Sequence, residues 1–158
     1  MLLRPGDQAP DFDVVDHNRR SVRLADFRGK KTVVLYFYPK DFTSICTAES
    51  CGFRDMYQAL AGAGVEVVGV SLDSVDAHRR FAKQYDLPFS LVSDRDKDLT
   101  RRYGALSTIR SFLGLAKRLT YVIGVDGRIA GVFEGELSAK PHLDGVRSLV
   151  TTLTGKRA

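Results

Sequence analysis

The chain has no tryptophan, only two cysteines and only five prolines in 158 residues. Two cysteines are too few for a disulfide-stapled secreted scaffold. No run of about 18 apolar residues occurs, so no membrane-spanning helix is expected. No block of five or more like charges occurs, and the net charge of +5 is spread along the chain. The opening Met1-Leu2-Leu3-Arg4-Pro5-Gly6-Asp7 lacks the apolar run and small-residue cleavage site of a secretory leader. With 44% apolar and 27% charged residues the composition is that of an ordinary globular protein. A single domain over residues 1–158 is expected, in the cytoplasm and with reduced thiols.

The hydrophobic pattern alternates between strand and helix. Phe12, Val14, Val22 and Leu24 suggest short strands around a turn at Asp16-His17-Asn18, and Leu24–Phe27 one helical turn. Thr32–Tyr38 is a continuous β-branched and aromatic run, the pattern of a strand buried on both faces, and Pro39 ends it. A helix follows from about Cys46 to Leu60, with Phe53, Met56, Tyr57 and Leu60 on one face. Val65–Leu72 is a second buried strand. A helix capped by Ser74 or Asp76 carries Phe81, Ala82 and Tyr85, and Phe89–Val92 is a third strand. After a short helix over Asp96–Tyr103, residues 104–117 are irregular. Leu119–Ile123 and Arg128–Phe133 form a hairpin about Asp126-Gly127, and a helix from His142 to Leu153 closes the chain. Alternating βα units predict parallel strands with right-handed crossovers, and the late hairpin adds antiparallel ones. The fold class is α/β, a mixed central sheet with helices on both faces.

One segment carries chemistry: Tyr38-Pro39-Lys40-Asp41-Phe42-Thr43-Ser44-Ile45-Cys46-Thr47-Ala48-Glu49-Ser50-Cys51. It leaves the C-terminal end of a buried strand, the edge where open α/β sheets place their sites. Cys46 falls in the first turn of a helix, where free N–H groups and the positive dipole end favour a thiolate over a thiol. Thr43 is close enough in sequence for its hydroxyl to reach the sulfur or a bound oxygen, and Pro39 stiffens the loop and shields the thiolate from water. Two readings of Cys46 stand together, a reactive thiolate and a buried structural thiol.

On one helix, Cys46 and Cys51 have Cα atoms about 8–9 Å apart and pointing to different sides. A disulfide needs about 7 Å or less. A static bridge is therefore not expected, while a conditional one, formed when Cys46 is oxidised and the helix opens, is allowed. Cys51 also reads as a passive core residue. The spacing is not C-x-x-C, and no Cys or His partners sit at zinc-ligand spacing, so neither metal nor cofactor is expected. His17, His78 and His142 are isolated in sequence and read as surface residues. Phe112 and Leu113 read as a cover for the site, as a partner patch or as loop packing.

The sequence resembles the peroxiredoxins, and within them the bacterioferritin-comigratory-protein (peroxiredoxin Q) subfamily. The resemblance rests on Pro5–Phe12, Tyr36–Asp41, Thr43-x-x-Cys46-Thr47-x-Glu49, Gly69-Val70-Ser71-x-Asp73-Ser74, Phe81-Ala82-x-x-Tyr85-x-Leu87-Pro88-Phe89, Leu91-x-Ser93-Asp94 and Thr120–Ile123 with Asp126-Gly127. It implies a thioredoxin-like fold with an N-terminal β-hairpin extension and a thiol peroxidase acting on hydrogen peroxide and organic hydroperoxides. It implies Cys46 as the peroxidatic nucleophile, with Pro39 and Thr43 in the active-site loop and Thr43 orienting the peroxide. Arg118 matches the family's arginine, with Lys117 next in line should the register slip by one, and Glu49 matches the glutamate that holds it. Without the resemblance, Arg118 and Glu49 read as solvated charges. The resemblance also implies Cys51 as the resolving cysteine, thioredoxin or a similar dithiol as reductant, and a monomer, with a dimer through the loop after Pro39 as the alternative. It implies no nucleic-acid or membrane partner.

The chain departs from the subfamily at Ser44-Ile45, where most relatives carry Pro-Gly. Gly permits positive φ and Ile does not, so a shifted helix start or a narrower, more apolar pocket favouring organic hydroperoxides is expected. A redox sensor of the same fold is the competing function. A nucleic-acid binder ranks last, because no aromatic-plus-basic motif accompanies the net positive charge.

Overall fold

A computed structural model describes residues 2–106 and 115–156. Phe112 and Leu113 lie outside the described residues. The elements run β1 (Asp13–Val15), β2 (Ser21–Arg23), α1 (Leu24–Phe27), β3 (Thr32–Phe37), α2 (Ser44–Gly62), β4 (Val65–Ser71), α3 (Val75–Tyr85), β5 (Ser90–Ser93), α4 (Asp98–Arg102), β6 (Leu119–Ile123), β7 (Ile129–Glu134) and α5 (Lys140–Thr154). β1 and β2 form the N-terminal hairpin. The other five strands form one sheet in the order β5-β4-β3-β6-β7. β3 pairs in parallel with β4, and β4 with β5, as two successive crossovers through α2 and α3 require. β6 runs antiparallel to β3, and β7 antiparallel to β6.

β3 is the centre because every one of its residues is buried. Val33, Leu35 and Phe37 face a core completed by Phe12 and Val22 of the N-terminal region, Leu24 of α1 and Leu99 of α4. Val34, Tyr36 and Tyr38 face the opposite core, filled by Phe53, Met56 and Leu60 of α2, Phe81 of α3 and Val146 and Val150 of α5. Each such side chain contributes roughly 1.5–3 kcal/mol when fully buried. α2 lies close to α5 at Gly52, where an added Cβ would stand 2.3 Å from Leu143 Cδ1.

Register brings three connections to one edge. Phe37, the last residue of β3, pairs with Leu119, the first of β6. Leu119 also pairs with Glu134, the last of β7. The loop into α2, the residue before β6 and the connection from β7 to α5 therefore meet at the C-terminal end of β3.

Two expectations are corrected. α2 begins at Ser44, two residues before the predicted start, because the chain is already helical through Ser44 and Ile45. His17, His78 and His142 are buried, not on the surface. Each is held by hydrogen bonds: His17 Nδ1 accepts from Leu91 N at 3.2 Å, and the other two join polar networks described below.

Candidate active site

The loop from Pro39 to Thr43 descends from β3 and turns sharply into α2. The turn is made at Phe42, whose φ of 68° is left-handed, a conformation rarely adopted by a bulky side chain. Its ring packs edge-on against Phe81 of α3, with centroids 5.1 Å apart. Ile45 needs no positive φ, since the left-handed residue falls three positions earlier. The loop goes from exposed Thr43 and Ser44 through half-buried Ile45 to fully buried Cys46.

Thr43 is the N-cap of α2, but its side chain makes no capping bond. Its hydroxyl donates instead to the Lys40 carbonyl at 2.8 Å, which ties the loop to itself. The first helical bond runs from Thr47 N to Thr43 O at 2.8 Å. The N–H groups of Ser44, Ile45 and Cys46 thus precede any helical acceptor, and the positive end of the helix surrounds the sulfur.

Arg118 crosses to this turn from the start of β6. It is buried, and its guanidinium forks: Nη2 donates to Cys46 Sγ at 3.2 Å and Nη1 donates to Glu49 Oε1 at 2.9 Å. Its backbone N–H donates to Glu136 Oε1 at 3.0 Å, and Nε to the Glu136 carbonyl at 3.4 Å. Burial opposes charge on Arg118, but Glu49 and Cys46 outweigh it and hold the pKa above its ordinary value. Lys117, the neighbouring cation, pairs its backbone N–H with Ala105 O.

Glu49 stands one turn after Cys46 and is as deeply buried. Burial pushes its carboxyl from 4.5 up to about 7, against the opposing pull of Arg118. Its second oxygen, Oε2, is buried and makes no hydrogen bond among the described residues. A buried unsatisfied acceptor is disfavoured by about 1–3 kcal/mol. The nearest basic atom is His142 Nδ1, 3.5 Å away at the start of α5. His142 Nε2 lies 2.9 Å from the Gly135 carbonyl, which can only accept, so that nitrogen carries the proton. Burial lowers the His142 pKa, which favours the neutral ring. Nδ1 is then bare and accepts from the Thr120 hydroxyl at 2.7 Å.

A second buried network braces the loop from behind. Asp41 Oδ1 accepts from the Tyr38 hydroxyl at 2.5 Å, and Asp41 Oδ2 lies 2.7 Å from His78 Nδ1. His78 Nε2 lies 3.0 Å from the Val92 carbonyl. The Asp41 N–H donates to Asp73 Oδ2 at 2.9 Å. Asp41, Asp73 and His78 bring ligand-type atoms within 4.8 Å of one another.

The structure therefore brings Cys46, Glu49 and Arg118 into contact, and Pro39 is buried in the loop that leads into α2. Thr43 is bonded to the loop and not to the sulfur. Cys51 is half-buried on the same helix, and both cysteines are free thiols. Sequence reasoning missed His142, Thr120, Glu136 and the Asp41–His78 pair. Spacing held the signal for the histidines: His142 is in phase with Val146 and Val150, and His78 with Phe81, Ala82 and Tyr85.

A thiol at a helix start with a guanidinium on its sulfur, at this edge of a thioredoxin-like sheet, defines a thiol peroxidase of the peroxiredoxin class. The chain belongs to the AhpC/TSA family, which its sequence matches over residues 5–132. Among its relatives is the peroxiredoxin bcp of Coxiella burnetii (strain RSA 493 / Nine Mile phase I), 43% identical over 136 residues, covering 84% of this chain and 89% of that one. The crystal structure of the peroxidoxin BcpB from Mycobacterium tuberculosis superposes with a TM-score of 0.85 at 31% identity, covering 99% of both chains. The Xanthomonas campestris bacterioferritin comigratory protein, studied for alkyl peroxide reduction, is similar at a TM-score of 0.82 and 26% identity, covering 94% of this chain and 98% of that one. The chain is thus a thiol-dependent peroxidase of the peroxiredoxin Q/bcp kind.

Proposed function

We propose that Cys46 is the peroxidatic nucleophile and that hydrogen peroxide and organic hydroperoxides are its substrates. The Arg118 Nη2 to Cys46 Sγ contact of 3.2 Å carries this reading. The thiolate pair attacks one peroxide oxygen, an S–O bond forms and the O–O bond breaks. Sulfur is oxidised to the sulfenic acid, and the leaving oxygen departs as an alkoxide or hydroxide that takes a proton. The guanidinium and the free N–H groups of the first turn stabilise the charge moving from sulfur to that oxygen. Pro39 covers the sulfur, and Thr43, anchored on Lys40, presents its oxygen to the incoming hydroperoxide. Glu49 holds Arg118 in the orientation that reaches sulfur.

Cys51 then condenses with the sulfenic acid, releasing water and forming an intramolecular disulfide. Both cysteines lie on α2, and five residues of helix separate their Cα atoms by about 8 Å, more than the roughly 7 Å a disulfide spans. The first turns of α2 unwind for this step. Thioredoxin or a similar dithiol reduces the bridge. The chain works as a single-domain monomer in the cytoplasm. Among the described residues no helix is long and apolar enough to cross a membrane.

The test mixes reduced protein with one equivalent of hydrogen peroxide, quenches with an alkylating reagent and weighs the intact chain. Rapid loss of both alkylatable thiols, with a mass two hydrogens lighter, is expected. Loss of one thiol alone would pass resolution to an external thiol. Thiols as slow to react as those of the denatured chain would remove Cys46 as the nucleophile.

A further inference from the structure

We propose that Glu49 is the proton-holding partner of Cys46: Oε2 carries a proton while Cys46 is a thiolate, and gives it up when the sulfur becomes a neutral sulfenic acid. The inference rests on Cys46 being the peroxidatic cysteine and adds the proton account of that step.

The first argument is geometric. Glu49 Oε2 faces Nδ1 of His142 at 3.5 Å and makes no hydrogen bond of good geometry among the described residues, although the nearby Thr120 hydroxyl pulls toward the ionised form. That nitrogen is bare, because Nε2 holds the ring proton against the Gly135 carbonyl. A carboxylate oxygen would set a lone pair against a lone pair. A protonated oxygen faces a basic nitrogen and, beside it, the lone pairs of the Thr120 hydroxyl that bonds the same nitrogen. The pocket is built for a carboxylic acid at this oxygen.

The second argument is charge. One buried cation, Arg118, serves two acids through the two arms of its fork, Cys46 at 3.2 Å and Glu49 at 2.9 Å. Around Glu49, α2 supplies Cys46, the start of β6 supplies Arg118 and Thr120, and α5 supplies neutral His142. The β7–α5 connection supplies Glu136, a further negative charge, and β3 supplies the neutral phenol of Tyr36. Arg118 is thus the only cation among these groups, and it balances one anion of the Cys46–Glu49 pair at a time. With thiolate and carboxylic acid the trio is neutral. With sulfenic acid and carboxylate it is neutral again.

The balance closes on the reaction. The thiolate and the hydroperoxide give the sulfenic acid and an alkoxide, and the alkoxide takes up one proton. Glu49 releases one proton in the same step, so the protein and its product together draw none from solvent. Glu49 does not touch the reacting atoms. It acts through Arg118 and is a positioning residue with a proton to give.

The test counts protons. The Cys51→Ser variant stops the reaction at the sulfenic acid. It is mixed, about one pH unit below the Glu49 value of about 7 and in weak buffer, with one equivalent of hydrogen peroxide beside a pH-indicator dye. Cys46 oxidation is scored in parallel by alkylation and intact mass, and thiolate ultraviolet absorbance is read before mixing. The proposal expects thiolate present, Cys46 oxidised and close to no proton uptake, rising to close to one per sulfur when Glu49→Gln is added. One proton taken up with Glu49 in place overturns it, as does a missing thiolate absorbance, which would put the proton on sulfur. If Cys46 is not oxidised at all, the peroxidatic reading falls and the proposal with it. The infrared difference spectrum of Cys51→Ser gives the same test without altering Glu49. The carbonyl stretch of a protonated carboxyl group should vanish on oxidation, and its persistence would overturn the proposal. A merely structural Glu49 moves neither readout.

Discussion

Replacing Arg118 with methionine keeps an unbranched apolar stem and removes the fork. Three side-chain hydrogen bonds disappear, Nη2 to Cys46 Sγ at 3.2 Å, Nη1 to Glu49 Oε1 at 2.9 Å and Nε to the Glu136 carbonyl at 3.4 Å. A hydrogen bond to a charged group contributes about 1.5–3 kcal/mol. If the sulfur arm acts fully in the transition state, at about 1.36 kcal/mol per decade the oxidation of Cys46 slows roughly 10- to 150-fold. The other arm governs stability. Removing one partner of a buried ion pair destabilises by about 3–5 kcal/mol. This loss should appear above neutral pH, where Glu49 is an anion, and shrink below it, where Glu49 takes a proton. The rate is measured by timed alkylation and intact mass, and the stability by urea unfolding at two pH values. A folded Arg118→Met protein whose Cys46 is oxidised within threefold of the wild-type rate would refute the reasoning, because the guanidinium would then not act on the sulfur.

Glu49 should make the fold weaken as pH rises. Its folded pKa of about 7 stands above the ordinary 4.5, so between these values the folded chain binds a proton that the unfolded chain releases. Stability falls across that window by about 3 kcal/mol, at about 1.36 kcal/mol per unit, and Glu49→Gln should be flat there by comparison in urea midpoints. In the brace behind the loop, Asp41→Asn should cost more stability than the double variant Asp41→Asn with His78→Leu. The single change leaves the His78 ring facing an imperfect acceptor, and equal losses would show that the two side chains are not coupled. Gly69→Ala in β4 would place a Cβ 2.8 Å from both the Tyr36 ring and Leu91. Overpacking of this kind destabilises by about 1–3 kcal/mol, and an unchanged thermal midpoint would show that the core yields there.

Much of the fold was legible because the strands announce themselves. Thr32–Phe37 reads as a two-faced buried strand from composition alone, and the Asp126-Gly127 turn marks the hairpin, with Gly127 at a φ of 79°. Cys46 was legible as a residue at a helix start. Arg118 was reachable only through the family resemblance, because its contact with Cys46 spans 72 positions of sequence and depends on the pairing of Phe37 with Leu119. The start of α2 was misplaced because Ser44-Ile45 looks unlike a helix opening, while the sharp turn is made at Phe42. The histidines were misread because their isolation in sequence was given more weight than their phase. His142 shares a stripe with Val146 and Val150, and a polar residue on an apolar stripe points inward when the interior supplies partners. Thr120 and Gly135 are those partners, and they come from two other segments.

The close seam at Gly52 sets how far a disulfide at the start of α2 can be felt. Cys51 is the last residue before the backbone of α2 meets Leu143 of α5, and Phe53 just beyond it is fully buried against Tyr36. Residues 44–51 can leave the helix by giving up the Arg118–Cys46, Arg118–Glu49 and Tyr36–Ser50 contacts while the seam stays closed. The reduced and oxidised proteins would then share one frame from Gly52 onward. A reductant that tells them apart would then have to do so by the released segment.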